Sequence, residues 1–118
     1  MKKIELFERA MNEGGSLKDY GINRTLFVAY RNLAYTGNKL IDFADVIWDY
    51  DIAEIVKTLK ENEITEFTIS SGFSSLIETL AAFEKEGVRM AGLTEVNASY
   101  TDFMTGEKAR IPAIRMTL

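Results

Sequence analysis

Cysteine and histidine are both missing from this chain of 118 residues. Their absence removes disulfides, thiolate nucleophiles, zinc sites of the usual Cys/His kind, Ser-His-Asp triads and imidazole acid/base chemistry in one step. Proline occurs once and tryptophan once. No apolar run approaches the roughly 18 residues that a membrane span requires, and Glu5 and Glu8 interrupt the apolar start before a signal-peptide core can form. A cytoplasmic location and no membrane association are the expectations. A hydrophobic content of 47% with 27% charged residues is ordinary soluble-globular composition. The length suits a single domain over residues 1–118 with one core.

The net charge of −4 hides a polarity. Residues 1–41 carry a net +3 and residues 42–66 a net −6. Bases are too few for the electrostatic footprint of phosphate-backbone binding, so direct nucleic-acid binding is disfavoured. The acidic stretch faces water as a solvated surface, or it faces a basic partner.

Hydrophobic spacing sets out the elements. Ile4, Phe7 and Met11, with Leu6 and Ala10, predict a helix that stops at Gly14-Gly15. Leu26, Ala29, Tyr30 and Leu33 predict a second, capped by Asn23 and closed by Gly37, although Thr25–Tyr30 is rich in strand formers. Residues 40–50 are ambiguous. As a helix they gather Asp42, Asp45 and Asp49 on one side; as strand and loop they scatter them. Asp51 and Glu54 form a capping-box pattern opening a helix with Ile52, Ile55, Val56 and Leu59 on one stripe, ending near Asn62. Residues 64–70 read as a strand. Phe73, Leu76, Ile77, Leu80, Ala81 and Phe83 read as an amphipathic helix closed by Gly87. Residues 88–98 and 111–118 are the last strands, joined through a turn at Thr105-Gly106-Glu107-Lys108. Pro112 lacks a donor and belongs at a strand start or on an open edge. The expectation is an α+β fold in two layers, N-terminal helices followed by β-α-β-β. Its small mixed sheet has about three strands, and those on either side of the last helix pair in parallel.

Two stretches carry candidate chemistry. Ser70, Ser71, Gly72, Ser74 and Ser75 lie where a strand feeds a turn and a helix N-terminus, a place that favours an anion. No lysine accompanies them and no nucleotide fingerprint is present. Ser75 with Glu78 reads equally as a capping box, and the other serines as turn and cap residues. The second stretch holds Asp42, Asp45, Trp48, Asp49 and Tyr50. Its carboxylates do not match a calcium-binding loop, and surface solvation or capping explains them better than a metal does. Trp48 and Tyr50 are core-edge aromatics, the commoner fate of such residues, or an exposed contact for a partner protein. The last strand, with Ile114, Met116 and Leu118, is a candidate edge for homodimerisation. No catalytic constellation, cofactor site or metal site is expected.

Asp51-Ile52, the run Phe67-Thr68-Ile69-Ser70-Ser71, Phe73-Ser74, Gly87 and Pro112-Ala113-Ile114 together resemble a family of uncharacterised short proteins of phages and mobile elements of Gram-positive bacteria. That resemblance implies an accessory protein acting on a host or element-encoded partner, and it assigns no catalytic residue. Three functions follow as expectations: a non-enzymatic protein-interaction module, an acidic inhibitor imitating nucleic acid, or a binder of a small anionic ligand at Ser70–Ser75.

Overall fold

The computed structural model describes residues 23–72 and 75–118, so the helix expected near the N-terminus, and Phe73 and Ser74, lie outside the described residues. Helix α1 covers Arg24–Thr36 and ends as its sequence predicts. Asn23 Oδ1 accepts the Leu26 N–H at 3.1 Å, and Gly37, at φ 70°, donates its N–H to the Leu33 carbonyl. Each contact satisfies a backbone group that a helix end leaves orphaned. Leu26 and Ala29 are buried, and Tyr30 and Leu33 pack against them from the same stripe. This period fits a helix and overrides the strand propensity of residues 25–30.

Residues 40–50 take the strand-and-loop form. Strand β1, Asp42–Phe43, is followed by a loop and a 3₁₀ turn at Asp49–Asp51 that leads into helix α2, Ile52–Glu61. Asp42, Asp45 and Asp49 therefore do not share a helical face. Helix α2 buries Ile52, Ile55, Val56 and Leu59, the predicted stripe. The expected capping box is not formed, because the Asp51 side chain makes no cap bond. Its carboxylate instead accepts from Asn23 Nδ2 at 3.0 Å and Thr25 Oγ1 at 3.1 Å, tying the start of α1 to the start of α2.

Strand β2, Glu66–Ile69, is followed by helix α3, Leu76–Lys85. Ser75 stands at the N-cap of α3 without a side-chain cap bond, so the box with Glu78 is also absent. The buried side of α3 is Thr79 and Phe83, with Leu80 partly covered, whereas Ile77 is 82% exposed and Ala81 faces water. The predicted stripe was turned about one residue off the true one. Thr79, Leu80 and Phe83 sit together across one turn while Leu76 is exposed, and a buried threonine hides that pattern.

Strands β3, Arg89–Thr101, and β4, Lys108–Thr117, form the expected hairpin. The sheet order is β1-β2-β4-β3, so the described residues form four strands where about three were expected. Strands β2 and β3 run the same way but do not touch, because β4 lies between them and is antiparallel to both. The hydrogen-bonded parallel pair is β1 with β2, joined through α2. A two-residue strand gives no periodic signal, which is why the pair was misplaced. Pro112 stands level with Glu95 on β3 and beyond Ile114, the last residue of β4 paired to β2. Its missing donor therefore falls where one side of the strand is open. Over residues 114–117, by contrast, β4 is paired on both sides. The free edge proposed for the C-terminal strand does not exist there, and among the described residues the edges are β1 and β3.

Among the described residues the fold is thus α+β: three α-helices on a small mixed sheet. Its centre is Phe67, whose ring meets Phe43 edge-on at 5.4 Å and Phe83 at 5.3 Å.

Candidate functional site

Strands β1, β2 and β3 point the same way, so the residues that follow or end them collect at one rim of the sheet. In sheets with parallel strands this carboxyl-end rim is where ligand sites are commonly built. Helix α1 lies along it, and two adjoining hollows open between the helix and the rim. The smaller, about 260 Å³, is lined by Asn32 and Thr36 of α1, Asp42 and Asp45, Ser70 and Gly72, and Asn97 to Tyr100 of β3. The larger, about 710 Å³, is lined by Arg24, Val28, Asp45, Val46, Trp48 and Tyr50 among others. Ala29, Asn32, Ala44 and Asp45 belong to both, so the two are parts of one groove.

Asp42 is the most constrained side chain of the rim. It is only 8% exposed, against the expectation of a solvated surface acid. The parallel register sets Asp42 opposite Thr68, and Ser70 follows two residues later on the same side. The Thr68 hydroxyl donates to Asp42 Oδ1 at 2.6 Å, and the Ser70 hydroxyl donates to Oδ2 at 2.5 Å. Both lengths lie at the short end of the O–H···O range. Ser70 N–H and Ser71 N–H both reach the Phe43 carbonyl at 3.1 Å, which closes the turn onto β1.

Across the groove, Asn38 holds β3 in place. Its Nδ2 donates to the Asn97 carbonyl at 2.9 Å and its Oδ1 accepts the Asn97 N–H at 2.8 Å. One side-chain amide thereby does what a neighbouring strand does for an edge residue. Asn97 Nδ2 in turn donates to the Thr36 carbonyl at 3.0 Å, fixing the end of α1.

Trp48 and Tyr50 are not core residues. They are 52% and 80% exposed, and their rings stack with centroids 6.2 Å apart and planes 10° from parallel. The predicted site residues therefore divide. Asp42, Asp45, Ser70, Gly72, Trp48 and Tyr50 line the groove, uniting stretches that the sequence left separate. Ser71 is buried, Ser75 is exposed at the start of α3, and Asp49 lines a different hollow between α2 and α3. Of the four aspartates between 42 and 51, Asp42, Asp45 and Asp51 thus line the groove and Asp49 stands apart from it. Asn32, Asn38, Asn97 and Tyr100 were not anticipated. The one available signal was Asn97, a poor strand former standing between Val96 and Ala98.

Among the described residues, no helix is long and apolar enough to cross a membrane. No curated protein and no solved structure matches the chain. Residues 25–118, which include every described lining residue of the groove except Arg24, match the family model of a domain of unknown function, DUF7698, and the chain belongs to that family.

Proposed function

We propose that the chain is a small non-enzymatic binding module that takes a segment of a partner protein along the α1 groove. The observation that carries this reading is the exposed, stacked Trp48–Tyr50 pair on the wall of the larger hollow, beside the Asp45 carboxylate. Large aromatics left in water represent apolar area whose burial contributes about 1.5–3 kcal/mol for each side chain fully covered. Tryptophan and tyrosine are also the residues that most often anchor protein interfaces. An accessory role of the phage or mobile-element kind, acting on a host or element-encoded partner, fits a module of this size.

The two other functions draw less support. Ser70 spends its hydroxyl proton on Asp42, and that carboxylate opposes an anion in the same hollow. An imitation of nucleic acid needs an array of free carboxylates. Asp42 is buried, Asp51 is bound to Asn23 and Thr25, and Asp45 and Asp49 line separate hollows.

Panning a displayed peptide library on the full chain tests the proposal. The expected result is enrichment of sequences that set a basic residue beside an apolar one, with Trp48→Ala weakening their binding at least tenfold while far-UV circular dichroism is unchanged. Enriched peptides that bind Trp48→Ala as well as the parent, or no enrichment, would overturn it.

A further inference from the structure

Among the described residues, every charged side chain lining the smaller hollow is acidic: Asp42 and Asp45 are there, and neither a lysine nor an arginine is. Arg110, on the neighbouring strand, does not line the hollow: it bonds the Asn97 side chain at the wall, Nη1 to Oδ1 at 3.0 Å, and its Nε approaches Glu95 at 3.8 Å. Asp42 is the unusual member. Carboxylates are almost never this buried without an opposite charge, because desolvation of the charged form is costly. Its bonds from Thr68 and Ser70 are both from neutral hydroxyls. Two accepted bonds also leave about half of a carboxylate's acceptor capacity unused. The hydroxyls orient the group, and among the described residues no cation of the hollow compensates its charge.

The rest of the lining suits the group that would supply that charge. Asp45 offers a second, exposed carboxylate. Tyr100, 59% exposed, presents a ring at the same wall, a surface on which cations are stabilised. At about 260 Å³ the space is below the usual range for whole cofactors, and it suits the end of one side chain.

We infer that the smaller hollow is a pocket for a guanidinium or primary ammonium head, with Asp42 and Asp45 as its anionic walls. The inference deepens the groove reading and rests on it for the source of the head, a basic residue of the bound segment whose neighbours lie against Trp48 and Tyr50.

The test is calorimetric titration of the full chain with N-acetyl-arginine amide, N-acetyl-lysine amide and N-acetyl-citrulline amide, the last being a neutral near-isostere of the first. At least one cationic compound should bind ten times or more tighter than the citrulline compound, since a charge-assisted hydrogen bond is worth that much or more. Asp45→Asn should weaken the cationic compound about tenfold, and Asp42→Asn should weaken it further if that variant folds. Citrulline binding equal to arginine and lysine, or Asp45→Asn without effect, would overturn the inference even where Asp42→Asn fails to fold. Trp48→Ala separates the two proposals. It should leave the single-residue amides unaffected while lowering affinity for the enriched peptides. Peptides that need Trp48 but show no preference for arginine or lysine over citrulline would leave the groove reading standing and end this one.

Discussion

Asp51 occupies the position where a carboxylate ordinarily caps a helix, and it spends both oxygens on another helix instead. Asn23 Nδ2 and Thr25 Oγ1 donate to it, so this one side chain joins two elements whose starts are 28 residues apart in sequence. Asn23 is itself buried, and its Oδ1 already caps Leu26 N–H. Removing the carboxylate would leave that amide short of an acceptor, and an unsatisfied buried donor costs more than a lost surface bond. Asp51→Ala should therefore lower the free energy of unfolding by about 1–2 kcal/mol, read as a shift of the urea midpoint at unchanged slope. Asp49→Ala, at an exposed neighbour, should stay within about 0.5 kcal/mol of the parent. A comparable loss in both variants would show that the Asp51 bridge contributes nothing of its own.

At the scale of elements, α2 and α3 end in the same way with different residues. In α3, Gly87 at φ 85° lets Val88 N–H reach the Phe83 carbonyl and its own N–H reach Glu84. In α2, Glu63 adopts φ 59°, and Ile64 N–H reaches Leu59 while Glu63 N–H reaches Lys60. Both are the paired bonds of a Schellman end, and only one has the residue that takes the left-handed conformation freely. Glu63→Gly should raise stability by about 0.5–1 kcal/mol. Gly87→Ala should lower it by about 1 kcal/mol, although nothing lies within 4 Å of the added Cβ, so the whole effect is backbone strain. Thermal unfolding that moves the two variants in the same direction would refute the comparison. The contrast also shows what could be read in advance. Asn23, Gly37 and Gly87 were legible because caps are local and rest on residue type. The strands read at 64–70, 88–98 and 111–118 were legible from alternation and turn residues, although both hairpin arms run nearer the turn, to Thr101 and from Lys108. Strand β1 and the role of Asp42 were not, since a two-residue strand has no period and the carboxylate's partners, Thr68 and Ser70, come from 26 and 28 residues away. The Asn38–Asn97 clasp spans 59 residues and depends entirely on the closed fold. The groove combines these long-range contacts, so its residues were nameable from sequence while its assembly was not.

At the scale of the whole molecule, the sheet, β1 and α3 meet at one side chain. Phe67 is fully buried, and its ring touches Phe43 and Phe83, which are buried too. Phe67→Ala should cost about 3–5 kcal/mol through lost contacts and the cavity left behind, a large part of the roughly 5–15 kcal/mol by which domains are stable. The variant also tests whether the groove is a separate unit. Trp48, the single tryptophan, reports on the loop between β1 and α2, far from the hairpin in sequence. That loop is anchored through Asp42, Asp51 and the buried Ile47 to the same core. Tryptophan fluorescence and far-UV circular dichroism should then trace one urea transition in the parent, and both should shift to lower urea by the same amount in Phe67→Ala. A fluorescence transition that precedes the dichroism, or that stays in place when Phe67 is removed, would mean that the groove wall unfolds on its own. In that case binding would have to order the wall before it could use it, and affinity would fall by the corresponding population.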